Sequence, residues 1–170
     1  VTVTDDQPRP AFDDIVVEED SAEELSGDAD ATEVDAAADK LNWPPGSFHV
    51  CETNDSRGPG NIMMVELQSE HVREVFTGFG RQGARAERVA MEAVDQTREY
   101  LAAEVPVGKH LADQLLLPLG IAAARDGAVS EFVTLPLTRH SATHINILQS
   151  FLGVAIDVDK GDGVVHVRVG

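Results

Sequence analysis

Two short runs hold the side chains best placed to do chemistry. The first is Gly108-Lys109-His110-Leu111-Ala112-Asp113-Gln114-Leu115. On a helix, His110, Asp113 and Gln114 stand three or four residues apart and project from one face. That face offers an imidazole, a carboxylate and an amide together, while Leu111 and Leu115 lie beside it and can turn inward. A solvated polar face shows the same pattern, so this run alone does not separate a site from a surface. The second run is Leu135-Pro136-Leu137-Thr138-Arg139-His140-Ser141-Ala142-Thr143-His144. It places His140 where a strand gives way to a helix that Ser141 or Thr138 could cap. The dipole at a helix amino terminus disfavours the cationic form of a histidine, leaving a neutral, nucleophilic imidazole. The free N–H groups of the same turn would hold the oxygens of a phosphate bonded to the ring. Those are the requirements of a histidine that carries a phosphoryl or nucleotidyl group. A capped helix start with an incidental histidine fits the spacing equally well.

His140 and His144 also form an i, i+4 pair, which could bind a metal with help from Asp113 or His110. Such pairs are common by chance and no third ligand is visible nearby in sequence, so no metal ligand is assigned. The single cysteine, Cys51, excludes an internal disulfide framework and a multi-cysteine zinc site. It lies in the alternating run Ser47-Phe48-His49-Val50-Cys51-Glu52 and reads as a small strand hydrophobe without chemistry.

The surrounding chain bounds what these residues can belong to. Its 170 residues suffice for one ordinary domain or two small ones, and a hydrophobic fraction of 42% permits a packed core. Aromatics make up only 5%, so that core must rest on Val, Leu, Ile and Ala. No apolar run approaches the roughly 18 residues of a membrane span, and no basic start leads into an apolar signal segment. A cytoplasmic protein is the expectation. The net charge is −17, from 30 acidic and 13 basic residues. Such a surface repels nucleic acid at ordinary salt and also repels itself, a cost that concentrated salt screens. A salt-loving host is one reading. The other is an acidic leading segment that inflates the total, since most of the excess precedes Lys40.

Residues 1–40 have the high charge and low hydrophobicity of a disordered segment or a loose insertion, with Ile15-Val16-Val17 as the one compact apolar patch. Towards its end, Ala31, Val34, Ala38 and Leu41 fall at helical spacing. From Gly46, Ser47–Glu52 and Ile62–Leu67 read as two strands, and the turn-rich Arg57-Gly58-Pro59-Gly60-Asn61 between them predicts a hairpin. The stretch from Phe76 to Gly83 is punctuated by glycine. A helix follows with Ala86, Val89, Ala90, Ala93, Val94, Tyr100 and Leu101 on its apolar face. A second helix starts near Lys109 with Leu111, Leu115 and Leu119 inward, and Pro118 is expected to bend or end it. Then come a strand over Glu131–Leu135, a helix from Ser141 to Leu152, and strands Val154–Val158 and Val164–Val169 around the turn Asp159–Gly163. The fold class is therefore α+β, a mixed α/β order of interleaved helices and strands.

In order and spacing, four groups of residues resemble the RNA 3′-terminal phosphate cyclase family over residues 40–170. They are Gly58-Pro59-Gly60-Asn61 before a strand, Gly83-Ala84-Arg85-Ala86-Glu87 opening a helix, His110-Leu111-Ala112-Asp113-Gln114-Leu115, and Pro136-Leu137-Thr138-Arg139-His140. The acidic leading segment finds no good match. By this resemblance residues 41–105 are the end of a small inserted α/β domain. Residues 106–170 are the last β-α-β-β portion of the catalytic domain.

The resemblance implies an ATP-dependent enzyme of ligase type. In the family a histidine attacks the α-phosphate of ATP, releases pyrophosphate and becomes histidyl-AMP. AMP then passes to an RNA 3′-phosphate, and the neighbouring 2′-hydroxyl closes a 2′,3′-cyclic phosphate. His140 matches the nucleophile. Asp113 and Gln114 match nucleotide-contacting positions, His110 falls beside the adenylate, and Phe76 or Phe79 is near a position that packs on adenine. A divalent cation, Mg²⁺ or Mn²⁺, would accompany the triphosphate. Family members are longer, and their amino-terminal half supplies further nucleotide and metal contacts. This chain is accordingly expected to be a carboxy-terminal fragment, inactive unless a missing amino-terminal half complements it. Two alternatives are a non-catalytic relative that acts in ribosome assembly and a metal-stabilised acidic binding module.

Overall fold

The computed structural model describes residues 11–20, 28–43, 47–53 and 60–170. They fall into two compact units, one within residues 9–99 and one from Tyr100 to Gly170. Helices and strands interleave in both, so the fold is α+β as the sequence predicts.

The first unit comprises β1 (Ala11–Asp20), α1 (Asp28–Leu41), β2 (Phe48–Thr53), β3 (Gly60–Gln68), β4 (Arg73–Phe79) and most of α2 (Ala86–Ala103). Its sheet has the order β2-β1-β3-β4. Two expectations change here. The leading segment is not wholly loose: β1 runs between β2 and β3, parallel to the first and antiparallel to the second. Its Ile15-Val16-Val17 run pairs with Phe48–Val50 on one side and with Met63–Val65 on the other. Three consecutive β-branched residues favour extended backbone enough to outweigh the acid around them. The hairpin expected between β2 and β3 is consequently absent, because β1 occupies the place between them. Alternation identifies a strand but not its neighbour. The expected turn residues Arg57, Gly58 and Pro59 lie outside the described residues.

The hairpin of this unit is β3–β4, and β4 itself was hidden in the glycine-punctuated stretch. Ser69 closes the turn: its backbone N–H reaches the Val72 carbonyl at 2.8 Å, and its hydroxyl accepts from Val72 N–H at 3.2 Å. Cross-strand pairs Met63–Gly78, Val65–Phe76 and Leu67–Glu74 form the buried face. Phe79 is three residues from Phe76, so the two-residue period of a strand sends it to the opposite face. It is 51% exposed there. On α2, Val89, Ala90, Ala93, Val94 and Tyr100 are buried as the apolar stripe predicts, and Thr97 joins them by donating its hydroxyl to the Ala93 carbonyl at 2.9 Å.

α2 approaches β4 closely enough that Gln96 Nε2 donates to the Thr77 carbonyl at 3.0 Å. A Cβ on Gly78 would collide with the Val89 backbone carbonyl. Gly78→Ala should therefore destabilise this unit by about 3 kcal/mol, since neither the backbone of α2 nor the strand can yield cheaply. A lowered denaturation midpoint in urea, with an unchanged slope, is the expected reading.

The second unit comprises α3 (Lys109–Asp126), β5 (Ser130–Thr134), α4 (Arg139–Leu152), β6 (Ile156–Lys160) and β7 (Val165–Val169). Its sheet is antiparallel throughout, in the order β5-β7-β6. One face is buried by Ser130, Phe132 and Thr134 of β5, Val165, Val167 and Val169 of β7, and Ile156 of β6. The other carries Glu131 and Arg168, paired at 3.1 Å. The β6–β7 turn forms where expected, with Gly161 N–H bonded to the Val164 carbonyl at 2.9 Å.

α3 runs through Pro118 instead of ending there. Pro118 is exposed, so water can take the carbonyl that its missing N–H leaves unbonded. The deepest residues of α3 are Ala112, Leu116, Gly120 and Ala123, whereas Leu111, Leu115 and Leu119 flank the core. The expected stripe was thus rotated by one residue. Gly120 sits where a Cβ would come within 3.4 Å of Leu152, which lets α3 and α4 approach. Asp113 meets the first turns of α4 and Gly120 meets its last, so the two helices run in the same direction. Both amino termini therefore lie at one end of this unit.

Candidate active site at the start of the last helix

α4 begins at Arg139, two residues before the start expected at Ser141. Thr138 is the cap. Its φ of −70° and ψ of 165° are extended, and its hydroxyl accepts the Ser141 N–H at 3.1 Å. The same oxygen lies 2.9 Å from the hydroxyl of Ser141, which is fully buried, so the cap is anchored from inside the unit. Ala142 N–H bonds the Thr138 carbonyl at 3.0 Å. The N–H groups of Arg139 and His140 precede the first intrahelical bond and face outward from the helix end.

His140 stands in this first turn with its side chain 80% exposed. Its Nδ1 is 3.0 Å from Oδ2 of Asp113, one turn into α3. The other carboxylate oxygen, Oδ1, lies 3.3 Å from Nδ1 of His144. The two rings meet edge to face, with centroids 6.2 Å apart. One carboxylate thus receives two imidazoles, one on each oxygen. Burial works to raise the Asp113 pKa, but hydrogen bonds from His140 and His144, and the charge of both rings, outweigh it and hold the group below the ordinary carboxylate value. An ionised carboxylate can only accept. Each ring must therefore supply Nδ1–H, and in the neutral ring this leaves the lone pair on Nε2. For His140 that lone pair belongs to an exposed ring at a helix amino terminus, the position of a nucleophile towards a phosphate.

Comparison with known proteins bears on what this site serves. Residues 21–102 match the family model described as the insert domain of RNA 3′-terminal phosphate cyclase. An RNA 3′-terminal phosphate cyclase of Koribacter versatilis (strain Ellin345) is 36% identical over 137 residues, which cover 81% of this chain and 37% of the relative. That of Pseudomonas fluorescens is 38% identical over 119 residues, 70% of this chain and 33% of the relative. The chain belongs to the RNA 3′-terminal phosphate cyclase family. A Salmonella paratyphi C cyclase is similar at 36% over 137 residues, covering 81% of this chain and 38% of its own length. The chain thus spans little more than a third of the length of these cyclases. The match from residue 21 also corrects, for residues 21–40, the expectation that the acidic leading segment finds no good match in the cyclase family.

Of the residues singled out in the sequence, the fold brings His140 and Asp113 into contact. Gln114 is exposed on α3 beside Asp113, and His110 is exposed in the first turn of the same helix. Phe76 and Phe79 belong to β4 of the other unit, Phe76 inside its core and Phe79 outside. His144, whose role the sequence left open, is the residue that joins the site. The i, i+4 spacing to His140 was its only signal, and that spacing does not name the carboxylate on α3. Among the described residues no group of three or more His, Cys, Asp or Glu is arranged to hold a metal ion. No helix among them is long and apolar enough to cross a membrane.

Proposed function

We propose that this chain carries the nucleophile of an RNA 3′-terminal phosphate cyclase, with His140 forming the covalent bond to AMP. The observation that supports this reading most is the 3.0 Å contact between His140 Nδ1 and Asp113, which presents an exposed Nε2 lone pair at the start of α4. His140 Nε2 attacks the α-phosphorus of ATP. An N–P bond forms, the bond to the bridging oxygen of the β-phosphate breaks, and pyrophosphate leaves with the electron pair. The ring becomes cationic while keeping its Nδ1–H, and Asp113 neutralises that charge without a proton having to move. The N–H groups of Arg139 and His140 donate to the phosphate oxygens. The parallel α3 brings a second helix amino terminus, with His110, to the same end.

An oxygen of the RNA 3′-phosphate then displaces His140 from the adenylate. The 2′-hydroxyl attacks the activated 3′-phosphorus, AMP departs and the hydroxyl proton is lost to solvent. The vicinal hydroxyl is already tethered beside the phosphorus, so closure needs little further positioning. Its participation makes RNA, and not DNA, the substrate class. Gln114 is accessible for a nucleotide contact. Of the two candidate aromatic residues Phe79 is 51% exposed and Phe76 is buried at 2% exposure.

A divalent cation would neutralise charge on the triphosphate. The described residues of this chain offer no cluster of His, Cys, Asp or Glu suited to it. Residues 106–170 would form the closing part of the catalytic domain, after an insert ending near residue 105. A non-catalytic relative in ribosome assembly is the second reading, and the carboxylate aligned behind His140 disfavours it, since a scaffold has no use for an oriented imidazole.

The test is incubation with α-labelled ATP and Mg²⁺ or Mn²⁺ in concentrated salt. It is applied to this chain alone and to the chain joined to a family amino-terminal half. Acid-labile AMP on the joined, folded protein is the expected result. Absence of label there would favour the non-catalytic branch.

A further inference from the structure

His144 has no part in the reaction above, yet the structure commits it to the same carboxylate as the nucleophile. Its side chain is 22% exposed against 80% for His140, so it sits below the site, between α4 and α3. The two histidines are one helical turn apart, which puts both on the face of α4 that meets α3. A carboxylate with a single partner can rotate about its last torsion, and the hydrogen bond it offers to that partner swings with it. Asp113 has its two oxygens held by different rings, at 3.0 Å and 3.3 Å, so the plane of the group is defined by two points. A metal-binding role would need the two rings to converge with a third ligand, whereas both turn Nδ1 towards Asp113 and no such group occurs among the described residues.

We infer that His144 is a positioning residue, which orients the Asp113 carboxylate and through it keeps His140 in the Nδ1–H tautomer with Nε2 free to react. This rests on His140 being the nucleophile for its catalytic consequence, though not for its structural one. A hydrogen bond to Nδ1 of the reacting ring selects the productive tautomer only while the carboxylate is correctly turned. His144 supplies that constraint at no cost to access, because it approaches from the less exposed side.

Two substitutions separate this role from mere filling of space. His144→Asn retains a donor near the position of Nδ1, and His144→Leu removes the donor while keeping an apolar body of similar size. Long-range proton–nitrogen NMR of the histidine rings reports the tautomer of His140 directly and needs no ATP. The expected result is a predominant Nδ1–H tautomer of His140 in the parent protein and in His144→Asn, with a shift to a mixture in His144→Leu. In the protein joined to the family amino-terminal half, His144→Leu should slow adenylation roughly tenfold while His144→Asn stays within about twofold of the parent. An unchanged His140 tautomer in folded His144→Leu would overturn the inference, as would equal loss of the tautomer in both variants. Because the NMR reading is independent of nucleotide, failure of labelling in the parent would sink the cyclase reading alone.

Discussion

His140→Ala should abolish AMP transfer, leaving adenylation at background, at least about 10⁴-fold below the parent protein. The size of the effect follows from what the side chain does. In the proposed mechanism Nε2 is the atom that bonds to phosphorus, so nothing short of a replacement nucleophile would restore the step. The fold should be untouched. The ring is 80% exposed, the cap of α4 is made by Thr138, and Asp113 keeps His144 as a partner. Exposed substitutions of this kind change stability by within about 0.5 kcal/mol. Measured together, an unchanged circular dichroism spectrum and a lost acid-labile label identify His140 as the nucleophile. Persistent label on the variant would move the assignment to another histidine, with His110 and His144 the first to map.

Asp113→Asn should slow adenylation by about 10³- to 10⁴-fold, the loss seen when an amide replaces the carboxylate behind a reacting imidazole in serine proteases. Shape is nearly conserved, so the loss is electronic. The amide NH₂ can donate to Nδ1 and thereby place the His140 proton on Nε2, which removes the lone pair. It also leaves the cationic ring of the adenylated state without a counter-charge. A selective fall in kcat with little change in nucleotide binding is the expected kinetic signature. The same substitution has a signature in stability. The Asp113 pKa is lowered in the folded protein, against burial, by the two histidines. Its contribution is therefore fully present above the ordinary aspartate value of about 4 and is lost as pH falls below that value towards the folded one. The parent should exceed Asp113→Asn in stability at neutral pH, and the gap should narrow as pH falls below the ordinary aspartate value of about 4. Urea denaturation of both proteins above and below that value measures it, and a gap that widened on acidification would contradict the lowered pKa.

The ease with which different parts of the chain could be read follows from the range of the forces involved. α2 and the β6–β7 turn were legible because they rest on local terms: an apolar stripe at helical period and a glycine-rich turn between two valine-rich strands. β4 was missed because two glycines and two phenylalanines in the run from Phe76 to Gly80 carry no clear alternation, and its pairing with β3 settles its state. α3 was located, but its buried stripe was rotated by one residue. The inward stripe falls on Ala112, Leu116, Gly120 and Ala123, not on Leu111, Leu115 and Leu119, and Gly120 lets the parallel α4 come close.

By itself, the sequence determined the mixed α+β class, the family resemblance that the comparisons bear out, and His140 as a histidine near a helix start. These depend on residue type and on spacings of a few positions, where chain connectivity holds neighbours together. Only the tertiary structure decided the rest. It put β1 between β2 and β3, because strand pairing is a choice among all available edges and alternation is silent on it. It sent Phe76 to the core and left Phe79 outside. It also brought His140 and His144 to Asp113, 27 and 31 residues away in sequence, because α3 and α4 run the same way over one sheet. A spacing of four could show that the histidines share a face, but the direction of packing decided which carboxylate that face would meet.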